Sequence, residues 1–184
     1  MLNFHKEPWP HYTGSLPDDF YNYVKENWNT NEEDKKWNKI KNRSNTFITD
    51  DKIITTLNEV ALDILHKSES VFKKYYPRLD ITKVKCSYSH TFSENPATDT
   101  GFPMRKLHID NGNKMVTGLW YFKNENEDED GRHLRLKNPI TREETQFFYR
   151  ANRIILFPNT PISWHYITER EPSKYSRRFV CTMV

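Results

Sequence analysis

The chain has 184 residues, enough for one domain with a substantial core, and its basic residues exceed its acidic ones by only three charges. That balance points to neither a strongly basic polyanion binder nor an acidic disordered chain. The hydrophobic fraction of 35% is low, yet aromatic residues supply 14%, and their large buried area per side chain argues for a folded globule.

In chain order, Pro8-Trp9-Pro10-His11 reads as extended, because each proline disfavours helix at the residue before it. A helix is predicted from Ser15-Leu16-Pro17, with Ser15 or Leu16 at the cap, to about Trp28; it places Phe20, Val24 and Trp28 on one face. Thr30 to Ser44 is charged and asparagine-rich and reads as a loop. From Asp51 to Tyr75, Ile54, Leu57, Val60, Ala61, Ile64, Leu65, Val71 and Phe72 follow a three-four spacing, which predicts one amphipathic helix capped by Asp50 or Asp51. His66 on that helix has no metal role in this reading.

From Lys83 onward the pattern becomes strands: an alternating run at Val84 to Phe92, then a loop from Ser93 to Pro103 that is a candidate lid or simply a variable surface loop. Lys106 to Asn111 and Met115 to Phe122 follow, with an acidic turn at Asn124 to Asp130 leading into Gly131 to Leu136. Thr145 to Tyr149, Arg153 to Phe157, Ser163 to Ile167 and Ser176 to Val184 complete about eight strands. Helices first and strands afterwards argue against a parallel α/β sheet. They favour a mainly β (α+β) fold, a double-stranded β-helix or jelly roll braced by N-terminal helices. The expected organisation is one domain over 1–184, helical to about 80 and jelly roll from about 81.

The chemistry concentrates at Leu107-His108-Ile109-Asp110. On a strand, His108 and Asp110 would project side by side while Leu107 and Ile109 point back into a core. In Ser163 to Ile167, His165 shares a face with Ser163 and Ile167. If it meets the first pair, two imidazoles and a carboxylate form a facial set that holds Fe(II) and leaves positions open for substrate and O2. Alternatives for His165 and the pair are a core histidine bonded to a backbone carbonyl and a chance exposed pair; His90 and His133 are rival candidates without matching context. Arg177 and Arg178 near the C-terminus face opposite ways, so one of them at most points inward.

These blocks, in order, resemble the 2-oxoglutarate and Fe(II)-dependent dioxygenases, particularly the small prolyl-4-hydroxylase-like type found in phages and bacteria. Lys106-Leu107-His108-Ile109-Asp110-Asn111 and Met115 to Phe122 look like the metal-ligand strand and its successor. Gly131-Arg132-His133-Leu134 looks like a "GGxL" strand with one glycine replaced. Asn152 to Asn159 with Trp164-His165 looks like the strand, turn and distal histidine, and Arg177-Arg178-Phe179-Val180-Cys181-Thr182 like the final strand.

The resemblance implies His108, Asp110 and His165 as ligands of Fe(II) and as the catalytic centre. It implies hydroxylation coupled to decarboxylation of 2-oxoglutarate, with an arginine of the last strand gripping the cosubstrate carboxylate. Arg178 is favoured for that grip, with Thr182 on the same inward face, and Arg177 is the alternative if the register slips by one. Tyr88 is a weaker candidate for the same carboxylate.

Two other readings stay open: a cosubstrate-independent jelly-roll metalloenzyme of cupin-like type, and a non-catalytic metal-binding descendant. Partners implied are O2 and a small-molecule or peptidyl substrate that the residues do not identify. No basic and aromatic platform argues for nucleic acid, and oligomeric state is open. Cys86 and Cys181 lack CxxC spacing and read as buried thiols in a reducing compartment. With no signal-like stretch at the N-terminus and no apolar run of spanning length, the expectation is a soluble cytoplasmic protein, phage-encoded forms acting in the host cytoplasm included.

Overall fold

Alternation of apolar and polar residues along the C-terminal half builds two facing antiparallel sheets, and the amphipathic helices cover the outside of one of them. The computed structural model describes residues 2–28, 36–38, 43–124, 127 and 131–184. Among them the large sheet runs in the order β1 (Leu2–His5), β2 (His11–Gly14), β10 (Ile154–Pro158), β7 (Val116–Tyr121), β12 (Arg177–Met183), β5 (Ser89–Asn95), β4 (Arg43–Phe47) and β3 (Lys36–Asn38). The small sheet runs β6 (Arg105–His108), β11 (Trp164–Ile167), β8 (Leu134–Lys137) and β9 (Glu144–Phe147). This is the expected jelly roll.

Helices α1 (Asp18–Glu26), α2 (Asp51–Lys67) and α3 (Glu69–Tyr75) bury Phe20, Val24, Ile53, Leu57, Ala61, Ile64, Leu65 and Phe72 in one cluster with Trp120, Val180 and Val184 of the large sheet. A second cluster lies between the sheets and contains Trp9, Tyr121, Leu134, Leu136, Tyr149, Phe157, Phe179 and Cys181. Alternate residues of β12 therefore serve different layers: Val180, like Val184 just past the strand, faces the helices, whereas Phe179 and Cys181 face the small sheet.

Several expectations are corrected. α1 begins after Pro17, which occupies the cap position without a side-chain cap bond, rather than after Ser15 or Leu16; Asp18 and Asp19 in the first turn suit the positive end of the helix. The single helix over 51–75 is interrupted at Ser68, which is fully buried with its Oγ 3.5 Å from the Tyr12 hydroxyl. Asp50 caps α2 as expected, its Oδ1 accepting from the Ile53 amide at 2.8 Å.

Residues 84–88 form no strand, and β5 starts only at Ser89, where pairing with β12 begins; Tyr88 consequently packs against the helix-side cluster. Within the stretch read as a loop over 30–44, residues 36–38 and 43–44 belong to strands of a paired hairpin, β3 and β4; 30–35 and 39–42 lie outside the described residues. Most of the acidic turn over 124–130 also lies outside them. Because β1 to β4 extend the large sheet, the part before residue 80 is not only helical.

Candidate metal centre

β6 is an edge strand of the small sheet, and its register against β11 contains the feature that shapes the site. His108 pairs with His165 and Arg105 with Ile167, so three steps on β6 match two on β11. The extra residue is a bulge, which re-aims side chains. It turns Arg105 and His108 to the same side, while Lys106 and Leu107 face solvent. Leu107 and Ile109 are each 41% exposed, so they do not point into a core: among the described residues none covers this part of the outer face of the small sheet.

Asp110 lies beyond the end of β6, yet one ligand atom from each of His108, Asp110 and His165 falls within 4.8 Å of the others. The imidazole rings are 4.3 Å apart between centroids, and His165 Nε2 stands 3.9 Å from Asp110 Oδ2. Both rings are oriented from behind in the same way. His108 Nδ1 bonds the Lys106 carbonyl at 2.7 Å and His165 Nδ1 the Ser163 carbonyl at 3.1 Å. A carbonyl can only accept, so each Nδ1 carries the proton and each Nε2 presents its lone pair to the shared point. His108 Nε2 is buried with no hydrogen-bond partner among the described residues, an orphaned polar atom that a cation would satisfy.

The carboxylate is held as firmly. Asp110 Oδ2 accepts from Thr117 Oγ1 at 2.7 Å, and Oδ1 from Lys114 Nζ at 3.3 Å. Asn159 Nδ2 donates to the carbonyls of Asn111 and Lys114 at 2.9 and 3.0 Å, pinning the turn that carries Asp110.

Burial pushes the Asp110 carboxyl up, but His165, Thr117 and Lys114 outweigh it and hold the group at about 2. Burial is the main cause that lowers His165 to about 4 and also lowers His108. At neutral pH the set is one carboxylate and two neutral imidazoles, the protonation state that metal ligation requires. With His165 neutral there, Thr117 and Lys114 are the groups that keep Asp110 ionised. Such a donor set fits Fe(II).

Between the sheets, the space beside the trio is lined by Thr117, Leu119, Phe157 and Cys181, and continues past Arg43, Arg105, Leu119 and Ile167 to Tyr121, Phe179 and Arg177. Arg177 is 2% exposed, lies 3.9 Å over the Tyr149 ring and donates to the Gly131 carbonyl at 2.6 Å. Arg178 does not reach this space. It stands on the Val180 face of β12 against Trp28, with Nε 3.5 Å from Glu94 Oε1, and Thr182 shares that outward face, bonding His90. His90 also meets Asn58 under the helices, and His133 packs on Phe148; neither joins the trio.

The segment leading into β8 keeps the backbone that the missing glycine would favour: Arg132, at the replaced position, has φ 55°. The segment before β6 is tied down, with Thr98 bridged to Ser173 and Phe102 to Arg170. Sequence reading missed Thr117, Lys114, Arg43 and Arg105; seven residues separate Asp110 from Thr117, and nothing local marks that pairing.

The profile of the 2OG-Fe(II) oxygenase superfamily matches residues 98–183, the span that holds all three site residues. No curated protein matches the sequence. Among solved structures, a prolyl-4-hydroxylase from Pseudomonas putida is similar at 13% identity and TM-score 0.66, over 94% of this chain and 91% of that one. A prolyl hydroxylase from Trichoplax adhaerens, solved with a hypoxia inducible factor oxygen degradation domain peptide fragment, is similar at 17% identity and TM-score 0.56, over 90% and 74%. At these identities the likeness concerns the fold. No helix among the described residues is long and apolar enough to cross a membrane.

Proposed function

From the premise that the chain belongs to the 2OG-Fe(II) oxygenase superfamily, we propose that it is a non-haem iron hydroxylase coupling decarboxylation of 2-oxoglutarate to hydroxylation of an organic substrate. The observation that carries this reading is the orientation of His108 and His165, each tethered through Nδ1 to its own strand with Nε2 turned to Asp110. Folding alone does not require two imidazoles and a buried carboxylate to converge with lone pairs inward, and that weighs against a non-catalytic descendant.

His108, Asp110 and His165 would hold Fe(II), which with bound 2-oxoglutarate and O2 supplies the oxidising power to replace an unactivated C–H hydrogen by hydroxyl. The chain contributes ligand geometry, binding and shelter from water. Thr117 and Lys114 hold the Asp110 carboxylate ionised and fixed in direction. Leu119, Phe157 and Cys181 supply an apolar wall. Arg177, on the inward face of β12, takes the role of fork for the distal carboxylate of 2-oxoglutarate. This revises the preference for Arg178, whose side chain points toward the helices.

The whole chain acts as one such domain in this reading, in a reducing compartment where Cys86 and Cys181 stay free thiols. The peptide bound to the Trichoplax enzyme puts peptides among the candidate substrates. The test is succinate formation from 2-oxoglutarate in air by Fe(II)-loaded protein, paired with a calorimetric titration of Mn(II) into the metal-free protein. Wild type should bind Mn(II) and release succinate, and His108→Ala should lose both. Undiminished succinate release by His108→Ala would overturn the reading.

A further inference from the structure

Two cations of the inter-sheet space have no part in the proposed reaction. Arg105 is turned inward by the bulge in β6, and Arg43 comes from β4 in the opposite sheet. Both line the space that contains Asp110 and His165, and both line the adjoining space that ends at Arg177. Arg43 lies 5.4 Å over the Phe179 ring, and its buried Nε has no hydrogen-bond acceptor among the described residues. Burial lowers Arg105; Asp110, the one carboxylate among the described residues that acts on it, offsets part of this, and the charge of Arg43 lowers it again by a smaller amount.

Two half-buried guanidinium groups that repel each other are an unfavourable arrangement, and proteins keep it where an anion arrives to compensate. Asp110 offsets Arg105 only in part, since its oxygens are shared with Thr117, Lys114 and the metal position. The cosubstrate does not account for them either: one end of 2-oxoglutarate serves the metal, and the other occupies a single arginine fork, assigned above to Arg177.

We propose that Arg43 and Arg105 form a second anion subsite beside the metal centre, which binds a carboxylate or phosphate group of the primary substrate. The substrate is then an anionic molecule, held across the gap between the two sheets, rather than an apolar or cationic one. This assignment rests on the oxygenase reading and adds the substrate class to it. The planar forks of two arginines from opposite directions suit a carboxylate or phosphate, which offers several acceptor oxygens.

The experiment uses the Mn(II)-loaded protein under argon, saturated with 2-oxoglutarate, and follows acetate and inorganic phosphate binding by calorimetry. Wild type should bind at least one of the two, and the tighter one names the group. Arg43→Gln and Arg105→Gln should each weaken that binding by roughly 10-fold or more, the loss expected for one charged hydrogen bond, while 2-oxoglutarate affinity stays within about threefold. Arg105→Lys, which keeps the charge but not the fork, should recover part of the affinity, a result that misfolding cannot produce.

Absence of acetate and phosphate binding in wild type would overturn the proposal. So would a drop in 2-oxoglutarate affinity in Arg105→Gln as large as that in Arg177→Gln, because the pair would then serve the cosubstrate. If wild type fails to bind 2-oxoglutarate at all, the oxygenase reading falls instead. The anion titrations are then repeated on metal-free protein, where loss in both glutamine variants upholds the anion subsite and its absence overturns it.

Discussion

Arg177 and Arg178 are neighbours on β12 and face different layers of the protein. The first stacks on Tyr149 inside the sandwich, and the second meets Glu94 and Trp28 on the helix side. Tyr149 fixes this register, because its hydroxyl accepts from the Arg178 amide at 3.0 Å and donates to the Arg178 carbonyl at 3.2 Å.

The first prediction follows from that division. With Fe(II) bound under argon, 2-oxoglutarate titrations monitored by visible absorption should show Arg177→Gln binding at least about 10-fold more weakly than wild type, as loss of a charged fork implies. Arg178→Gln should bind as wild type does. The reverse pattern would give the carboxylate fork to Arg178 and overturn the assignment to Arg177.

A second prediction concerns the support of the carboxylate. Thr117→Val keeps the shape of the side chain but removes the 2.7 Å bond to Asp110 Oδ2, freeing the carboxylate to rotate. Outer-shell partners of this kind change metal affinity by about 10-fold to 100-fold. Mn(II) affinity should therefore fall by about 10-fold while the far-ultraviolet dichroism stays unchanged. Equal affinities for the two proteins would show that Lys114 and the pinned turn suffice.

How far the sequence was legible depended on whether period and spacing carried the information. Apolar alternation marked the strands from β7 to β12, and the paired histidines and aspartate marked the trio, because residue type and local pattern are visible in one dimension. Parity was not visible. A bulge inserts one residue and reverses the side of Arg105, which joined His108 inside, while Leu107 and Ile109, opposite His108 as alternation predicts, met solvent instead of a core. On β12 no local pattern decides between Arg177 and Arg178, since apolar layers cover both faces and Val180 and Cys181 are equally at home. β3 and the first two residues of β4, Arg43 and Ser44, were read as loop because such polar residues owe their strand conformation to pairing, β3 with β4 and β4 with the distant β5, a long-range effect.

The third prediction is a pH dependence of the metal-free protein. His90 is buried under the helices: its Nε2 donates to Asn58 Oδ1 at 2.8 Å, leaving Nδ1 to accept from Thr182 Oγ1 at 3.1 Å. Burial lowers it to about 4, and burial likewise lowers His11 to about 4. The unfolded chain takes up these protons near pH 6.5 and the folded one only near 4. Stability is therefore complete above about 6.5 and declines as pH falls toward 4, by at most about 3 kcal/mol per histidine. His90→Gln should remove about one proton from the slope of unfolding free energy against pH between 5 and 6, as read in urea titrations. An unchanged slope would show that His90 is protonated in the folded state.

A fourth prediction tests the seam between the first helix and the large sheet. Asn152 sits at φ 54°, a left-handed conformation that asparagine tolerates better than most residues. From there its Nδ2 donates to the Leu16 carbonyl at 2.8 Å and to Asp18 Oδ1 at 2.9 Å, while its Oδ1 accepts from Trp120 Nε1 at 3.0 Å. Alanine would leave the buried indole N–H and the Leu16 carbonyl without partners and would strain the backbone, at a combined cost of about 3 kcal/mol. For a chain of this length that corresponds to a fall in Tm of roughly 6 to 12 °C. Asn152→Gly loses the same bonds but relieves the strain, so its Tm should fall by less than that of Asn152→Ala. Mn(II) affinity should be unaffected in both, because none of these bonds reaches His108, Asp110 or His165. Equal Tm losses for the two variants would place the whole effect in the hydrogen bonds and none in the left-handed backbone.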